Sequence, residues 1–389
     1  MSTNRAYLII PKLIEQPTWG GRYIMKEKGW QKHPDAQRKI GQSYELYSGS
    51  YLSLATDTAD TAFQPELDSI PRDAFQIEQI RAEDAEGLLG TRGIKKYNGQ
   101  LKTLIKFTQA KGNSFQLHVR QPDGTWLPKP ESWYFFEKGL ATLGITDKKK
   151  INEYKKVCKD IEDYMKSLSA RIIETGHAPS LSLHEARQLA QMYIKKKNIY
   201  QFVNRVTIPK NSIVDLQYGA IHHSWEEDNE LIPRGNIVYE VQVDVADDVS
   251  TLRSFDKGKI QDDGSMRPLQ IDEYFRHLNT TKSMNDPHML IKKAQESVSS
   301  ESLSISPLFN TSYYKLDKLS FSQELTHEYT TTKHETFHHI FVLKGAIEYH
   351  DNSIDLTIGE GHSVFIPARV GGYVLKTKNK SATVLKTYV

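Results

Sequence analysis

Cysteine is nearly absent from the sequence. Cys158 is the single cysteine among 389 residues, so the chain cannot form an internal disulfide or a zinc ribbon built from CxxC pairs. A lone thiol is typical of a reducing compartment, and we predict a cytoplasmic protein. Any bound metal ion must therefore be held mainly by His, Glu, Asp or Gln side chains.

Long apolar runs and an excess of one charge are also missing. No run approaches the roughly 20 residues of a membrane-spanning helix, and the opening MSTNRAYLIIPK lacks the apolar stretch of a secretion signal. The 51 Lys and Arg residues nearly balance the 48 Asp and Glu residues, which disfavours a nucleic-acid-binding protein. We therefore expect no membrane and no nucleic-acid partner, in a chain long enough for two or three domains of roughly 100 to 200 residues.

Short apolar runs separated by Gly, Pro, Asn and Asp fill residues 1–145 and predict β-strands. Tyr7 to Ile10 and Leu101 to Phe107 are two such runs. The pattern returns from Tyr200 onward and again in residues 313–389, where strands alternate with Gly turns and predict a small β-barrel. The predicted fold class is mainly β.

Two segments interrupt this β pattern. Residues 146–198 contain apolar residues at helical spacing from Ile151 to Ile161, and a second helical stretch opens with the cap Ser182. The Lys clusters of this segment are interleaved with Asp and Glu, which is typical of a solvated helix face. Residues 261–312 are polar and rich in Ser and Asn, and we predict a connector there.

One strand carries a pattern suited to binding a metal ion. Because side chains at i and i+2 lie on the same side of a strand, Gln116 and His118 share a face, with Ser114 in line beside them. A lone His in a strand is usually structural, so a metal site here needs further ligands.

Two other residues are candidates to complete this site. Glu131 precedes an aromatic strand, and His222 follows a Gly turn that could return it to the Gln116 and His118 face. Two histidines, a carboxylate and an amide oxygen suit zinc. Alternatively, Glu131 balances the charge of Lys129 and His222 is a turn residue.

Seven sequence strings occur in a characteristic order. They are PTWGG (17–21), SFQLH (114–118), KPE with the following aromatic strand (129–136), FVNRVTIPKNSIVDLQYGAIHH (202–223), IVYEVQ (237–242), LRSFDKGK (252–259) and RPLQID (267–272). In this order they resemble type I mannose-6-phosphate isomerase, over most of the chain.

The resemblance implies a fold and a metal site. The expected fold is mainly β, with cupin (jelly-roll β-barrel) domains and an α-helical insertion. It divides the chain into a catalytic cupin domain (1–145 and 199–260), a helical insertion (146–198), a connector (261–312) and a C-terminal cupin barrel (313–389). The implied cofactor is one Zn²⁺ per chain, held by the side chains that match the family's ligands: Gln116, His118, Glu131 and His222.

The resemblance also implies residues that contact the substrate. Ser114 and Lys129 resemble the family's substrate-contacting pair, with the serine on the phosphate side, and Lys106 resembles a lysine that lines the pocket. Glu240 resembles an acid/base candidate and Arg253 the catalytic arginine, and Lys129 is grouped with them in the catalytic set.

The sequence departs from the family's pattern at three places. Val119 stands where the family has Pro, the spacing from Glu240 to Arg253 is longer, and His223 follows the zinc histidine where the family has Ala. His223 could compete for the metal or support its ligands. His222 keeps the G-x-x-H spacing from Gly219 and is the predicted ligand.

The implied activity is the interconversion of mannose 6-phosphate and fructose 6-phosphate, an intramolecular oxidoreduction of a phosphorylated hexose. A proton moves between C1 and C2 through an enediolate, so a cation must meet the negative charge that develops on the neighbouring oxygens. The alternatives are isomerisation of another sugar phosphate and a cupin that binds a sugar phosphate without turnover. An iron-dependent cupin oxygenase is disfavoured by the Gln ligand. The protein is expected to be a monomer or a homodimer.

A second group of possible ligands lies near the C-terminus. It consists of His334, His338, His339, Glu348 and His350. Adjacent His338 and His339 point to opposite faces of a strand, so they cannot both bind one ion from the same side. We therefore expect a C-terminal barrel without a metal ion.

Overall fold

The computed structural model describes residues 2–60, 63, 73–120, 127–173, 180–216, 222–245, 251–294, 298–300, 302–322, 326–331, 335–378 and 381–389. Of these, residues 119–120, 127–128, 222–224 and 298–299 are described by their backbone alone. No helix within these ranges combines the length and the apolar character needed to cross a membrane.

Strands dominate the described residues. They are β1 Tyr7–Ile10, β2 Lys12–Glu15, β3 Ile40–Leu46, β4 Tyr51–Ser53, β5 Ala74–Gln76, β6 Thr103–Ala110, β7 Phe115–Arg120, β8 Leu127–Pro128, β9 Glu131–Phe135, β10 Gly139–Ile145, β11 Val203–Ile208, β12 Ser212–Asp215, β13 His222–Trp225, β14 Asn236–Val243, β15 Thr251–Phe255, β16 Ile291–Lys293, β17 Val298–Ser299, β18 Leu303–Asn310, β19 Lys315–Phe321, β20 Thr326–Thr330, β21 His338–Lys344, β22 Ala346–His350, β23 Asp355–Gly359, β24 Ser363–Ile366, β25 Gly372–Thr377 and β26 Ala382–Tyr388. The helices are α1 Tyr23–Glu27, α2 Ile77–Glu83, α3 Ala85–Tyr97, α4 Ile151–Ile172, α5 Leu183–Lys197, α6 Ile271–His277, α7 Lys282–Asn285 and α8 Pro287–Leu290. The prediction of a mainly β fold is confirmed.

A seven-stranded sheet, in the order β16-β12-β9-β14-β6-β3-β2, is the centre of the first β-unit. Its two faces differ because side chains alternate along each strand. On β6, Ile105 and Phe107 join the largest hydrophobic core, whereas Lys106 lies on the opposite face. On β14, Tyr239 joins the core, whereas Glu240 shares the face of Lys106.

Two three-stranded sheets, β11-β10-β13 and β15-β7-β8, complete the first β-unit. A second hydrophobic core, which includes Trp133 and Phe135 of β9 and Leu143 of β10, joins the seven-stranded sheet to the first of these small sheets. In the other small sheet, as far as the described strands show, β15 pairs with β7 alone, with Thr251 opposite His118 and Arg253 opposite Gln116. Residues far apart in the sequence are thereby held in register.

The predicted helical insertion packs against the back of this β15-β7 pair. Helix α4 contributes Tyr154 and Ile161 to a separate core that also contains Phe115 of β7 and Phe255 of β15. Alternation along β7 therefore points Phe115 at the helices and leaves Gln116 on the opposite side. The helical insertion thus provides the apolar support for the strand that carries the predicted metal ligands.

The second β-unit consists of a nine-stranded sheet, β17-β18-β19-β26-β21-β24-β1-β4-β5, and a four-stranded sheet, β20-β25-β22-β23. Three strands from the beginning of the chain, β1, β4 and β5, belong to the nine-stranded sheet, although residues 1–145 were assigned to the catalytic domain. Likewise, β18 from the predicted connector pairs along its length with β19. The predicted boundaries thus differ from the strand pairing at these three strands and in the predicted connector, where β16, β17 and β18 all belong to sheets.

Candidate functional site

A cavity of about 370 Å³ opens on the polar face of the seven-stranded sheet. Six of the predicted site residues line it, from five different strands: Lys106, Gln116, His118, Glu131, Glu240 and Arg253. The strand register explains this convergence, because Glu240 pairs with Lys106 on one side and with Trp133 on the other.

Gln116 and His118 share one face of β7, as the sequence predicts. The Gln116 Nε2 and His118 Nε2 atoms lie 3.5 Å apart, and the Ser114 hydroxyl donates to Gln116 Oε1 at 3.0 Å. On the other side of the imidazole, His118 Nδ1 lies 3.0 Å from the hydroxyl of Thr251. A hydrogen bond at Nδ1 fixes the ring orientation and leaves Nε2 to face the cavity.

Glu131 lies beside His118, at the start of β9. Its Oε2 atom is 3.8 Å from His118 Nε2, and both side chains are almost fully buried. The indole N–H of Trp133, two residues along the same strand, donates to Glu131 Oε1. This bond holds the carboxylate toward the histidine.

Glu240 is the second buried carboxyl group of the cavity. Thr108 donates its hydroxyl to Glu240 Oε1, and Gln242 Nε2 donates to Glu240 Oε2 at 2.8 Å. Burial raises the pKa of Glu240 to about 8; nearby Lys106 opposes this shift, and Glu131 adds to it. Desolvation therefore dominates the electrostatics of this carboxyl group.

Positive charge enters the cavity from two walls. Lys106 reaches in from β6, with its Nζ atom 5.0 Å from the centre of the Tyr44 ring. Arg253 lies on β15, opposite Gln116, and its backbone N–H donates to Gln270 Oε1 at 3.2 Å. Cations on both sides of the two carboxylates suit an anionic substrate whose charge increases during reaction.

Three predicted residues lie outside the lining of this cavity or outside the described side chains. Ser114 and Lys129 are buried but do not line the cavity, and Ser114 acts on Gln116 instead. His222 lies on β13, where its backbone pairs with Leu143 of β10. The side chain of His222 is not among those that the structure describes. The assignment of His222 as a ligand therefore stays a prediction.

The donors that are described fit a metal ion such as zinc. Two ligands bound at about 2.0 to 2.1 Å in tetrahedral geometry lie roughly 3.3 Å apart, close to the 3.8 Å between His118 and Glu131. Turning the Gln116 amide by half a rotation exchanges its oxygen and nitrogen, which brings an oxygen donor to the His118 side. Among the described residues, His, Cys, Asp and Glu alone form no group of three suited to a metal, so the site depends on the amide and on His222.

Several cavity residues were not predicted from the sequence. They include Gln42, Tyr44, Asn113, Thr251 and Arg267. Gln42 and Tyr44 alternate with buried residues on β3 and could have been found from that pattern. Thr251 has no local signal, because its role arises only from its register opposite His118.

The histidines near the C-terminus lie on different sides of the second β-unit. His338 Nδ1 is 2.6 Å from the Tyr373 hydroxyl, whereas the neighbouring His339 lies 3.3 Å from the Tyr239 hydroxyl of the first β-unit. His350 pairs with Asp355 at 2.7 Å near the surface. His334 lies outside the described residues.

A larger cleft of about 740 Å³ lies next to the candidate site but contains none of the predicted residues. Its charges are largely paired within the protein: Lys257 contacts Glu226 at 2.7 Å, and Arg187 contacts Asp262 at 2.8 Å. In the smaller cavity, by contrast, two buried carboxyl groups and a histidine meet.

The fold defines a mainly β protein of two β-units with a helical insertion, and solved structures of mannose-6-phosphate isomerases share it. The enzyme from Bacillus subtilis matches with a TM-score of 0.65 and 15% identity, over 99% of each chain. A putative mannosephosphate isomerase from Archaeoglobus fulgidus matches with a TM-score of 0.59 and 15% identity, over 98% of this chain and 97% of that one. A mutant of phosphomannose isomerase from Salmonella typhimurium matches with a TM-score of 0.63 and 11% identity, over 98% and 99%.

Sequence comparison alone gives no relatives: no family model matches the chain, and no curated protein matches it. The resemblance predicted from the ordered strings is thus confirmed at the level of the fold.

Proposed function

We propose that this protein is a zinc-dependent isomerase that interconverts mannose 6-phosphate and fructose 6-phosphate. The observation that carries the proposal is the convergence of Gln116, His118, Glu131, Glu240 and Arg253 on one polar cavity. They meet in a fold shared, over nearly the full chain, with mannose-6-phosphate isomerases. On this proposal the two β-units are cupin barrels and the enzyme acts in the cytoplasm.

The proposed metal site holds one zinc ion per chain. Gln116, His118 and Glu131 provide three of its ligands, and His222 provides the fourth. When bound by these residues, zinc would supply positive charge that stabilises the negative charge developing during isomerisation. Trp133 and Thr251 orient Glu131 and His118 through the hydrogen bonds they make.

Glu240 is the proposed group that transfers the proton between C1 and C2. It lies in the middle of the sheet face, between Lys106 on β6 and Trp133 on β9. Thr108 and Gln242 hold its two oxygens, so the carboxyl group is oriented before substrate binds. Such orientation lowers the entropy cost of the transfer.

Arg253 and Lys106 are the proposed fixed charges of the reaction. Arg253 lies next to the metal ligands through its register with Gln116, so its guanidinium can stabilise the enediolate. Lys106 adds a second cation from the opposite wall of the cavity. Lys106 is buried, and the low polarity around a buried charge strengthens its interaction with an anionic substrate.

The proposal is tested with a coupled assay for fructose 6-phosphate formed from mannose 6-phosphate. Activity is measured on the purified protein, after chelation and after zinc is restored, and we expect it to be lost and regained. A panel of other sugar phosphates identifies a different substrate if mannose 6-phosphate is inactive. Zinc and sugar-phosphate binding without turnover of any panel member would instead indicate a binding protein, and the proposal would fail.

Substitution of Glu240 provides a second prediction. Glu240→Gln keeps the shape of the side chain, but it replaces one of the two accepting oxygens with a donating NH2 group and removes the ability to accept a proton. We expect kcat to fall by about 10² to 10⁴, while bound zinc per chain stays unchanged. His118→Ala should instead lose both zinc and activity. Normal kcat in the Glu240→Gln variant would assign the proton transfer to another group.

A further inference from the structure

Arg267 enters the cavity from a segment predicted to be a connector. It lies between β15 and α6, and its side chain is about one quarter exposed. It lines the same cavity as Lys106 and Arg253. The proposed isomerase chemistry at C1 and C2 assigns no role to this third cation.

The guanidinium of Arg267 is only partly used by the protein. Its Nε atom lies 3.7 Å from Asp256 Oδ2, which is its one ion pair within the described ranges. The contact with Asp256 is at Nε, and within the described ranges no ion pair or hydrogen bond is formed by the terminal Nη1 and Nη2 atoms of Arg267. A planar pair of N–H donors matches two oxygens of a phosphate group.

The position of Arg267 relative to the proposed metal site follows from backbone hydrogen bonds. β15 is an edge strand, with β7 on one side. On the other side, Gln270 N donates to Arg253 O at 2.9 Å, and Arg253 N donates to Gln270 Oε1. Gln270 thus bonds to the edge of β15 that faces away from Gln116, and Arg267 precedes Gln270 by three residues in the same segment.

This arrangement places three groups in order across the cavity: the predicted metal ligands of β7, then Arg253, then the Arg267 segment. With neighbouring strands about 4.8 Å apart, the last of these is on the order of 10 Å from the first. The groups of a hexose 6-phosphate follow a matching order, with the reacting C1 and C2 at one end of the molecule and the phosphate on C6 at the other.

We infer that Arg267 binds the 6-phosphate of the sugar substrate and thereby selects phosphorylated hexoses, an inference that rests on the proposed function. It differs from the phosphate contact implied by the resemblance, because Ser114 bonds to Gln116 and lies behind the cavity lining. Asp256 orients the guanidinium through Nε. Arg253 keeps its proposed role at the other end of the substrate, where it stabilises the enediolate formed at C1 and C2.

The test compares Arg267→Met and Arg267→Lys with Arg276→Met. Arg276 is a matched control, because it lies on nearby α6, is 67% exposed and pairs only with Glu273 in the described structure. KM and kcat are measured for mannose 6-phosphate, and the Kd of fructose 6-phosphate and of fructose is measured by calorimetry. Circular dichroism and thermal unfolding show whether each variant is folded.

We expect Arg267→Met to raise KM for mannose 6-phosphate and Kd for fructose 6-phosphate by about 10- to 150-fold, the range for loss of a charge-assisted hydrogen bond. The value of kcat should change much less, and the weak binding of fructose should not change. Arg267→Lys should recover part of the loss, because Lys meets phosphate as a point charge. Arg276→Met should behave as the unsubstituted protein.

Unchanged KM and Kd in Arg267→Met would overturn the inference, as would an equal loss of fructose and fructose 6-phosphate binding. If Arg267→Met does not fold, Arg267→Lys still tests the inference through its KM and Kd. If the unsubstituted protein binds fructose 6-phosphate but isomerises no sugar phosphate, the proposed function fails and the Kd comparison alone decides the role of Arg267. If it binds no sugar phosphate, both fail.

Discussion

Thr251 is the residue whose side chain most directly supports a proposed metal ligand. Its hydroxyl lies 3.0 Å from His118 Nδ1, so Thr251→Val removes this hydrogen bond while keeping the side-chain shape. Loss of such a supporting bond typically weakens metal binding by about 10- to 100-fold. We expect that loss in the zinc affinity of Thr251→Val, measured by competition with a chelator.

Thr251→Ser is the matched control, because it keeps the hydroxyl and removes only a methyl group. It should bind zinc nearly as tightly as the unsubstituted protein. Equal zinc affinity in Thr251→Val and Thr251→Ser would show that the hydroxyl does not orient His118.

Site residues can be predicted from the sequence where the alternation of side chains along a single strand is enough to identify them. Gln116 and His118 follow from alternation along β7, and alternation on β14 separates Glu240 from the core residue Tyr239. Thr251 and Arg267 are different, since they reach the cavity through strand register and through a segment without regular structure. No local pattern distinguishes them from other polar residues, although the RPLQID string already contained Arg267.

At the scale of elements, a short helix and a turn bring two carboxyl groups together. Glu27 ends α1, and Glu360 lies in the turn between β23 and β24. Burial raises the pKa of Glu27 to about 7, the contact with Glu360 adds to the shift, and the nearby Tyr23 hydroxyl and Lys26 oppose it. The folded state therefore favours protonated Glu27 more than the unfolded state does.

The direction of the pH effect follows from that raised pKa. The stabilisation is complete below the unfolded value of 4.5 and is lost as the pH rises through about 7. Because Glu27 is only partly buried, we expect a loss of about 1 kcal/mol after allowance for solvent screening. Urea unfolding at pH 5 and pH 8.5 should show a loss of stability that is smaller in Glu27→Gln than in the unsubstituted protein by this amount, because Glu240, whose pKa is also raised by burial, loses its share in both proteins.

Glu153→Gln is the control for this experiment, because Glu153 is exposed in the first turn of α4. It should show the same pH dependence as the unsubstituted protein. If Glu27→Gln loses as much stability at pH 8.5 as the unsubstituted protein does, a group other than Glu27 causes the pH effect.

The positions of individual strands and helices could be predicted from the sequence more easily than the pairing between strands. The run from Tyr7 to Ile10 forms β1 as predicted, and Ser182 caps α5 by accepting from Glu185 N at 3.2 Å. Local sequence determines such features through alternation and capping. The pairing of β1 with β24 depends instead on residues more than 350 positions away, and the polar composition of residues 261–312 as a whole conceals β18, a strand with only half of its side chains buried.

At the scale of the whole molecule, the two β-units share one core. Phe107 of the first β-unit lies 5.5 Å from Phe341 of the second, measured between ring centres. The Tyr239 hydroxyl reaches across to Thr387 at 3.2 Å. Since β1 also belongs to the sheet of the second β-unit, the beginning and the end of the chain must fold together.

A buried ion pair lies at the same junction. Lys28 Nζ donates to Glu45 Oε1 at 2.8 Å and to the carbonyl of Gly361, and both charged side chains are fully buried. Ser43 donates to Glu45 Oε1 and Ser363 donates to Glu45 Oε2, at 2.6 and 2.8 Å. The network therefore connects α1, β3 and β24, which belong to different β-units.

Removing one charge should destabilise the whole molecule, because the partner charge stays buried. We expect Lys28→Met to lower the free energy of unfolding by about 3 to 5 kcal/mol in urea denaturation. The double variant Lys28→Met, Glu45→Gln should recover part of this loss, since no uncompensated charge remains. Lys32→Met, at an exposed position nearby, should change stability by less than about 0.5 kcal/mol. If the double variant is as unstable as the sum of its single variants, the two charges are not coupled, and the junction depends on apolar packing alone.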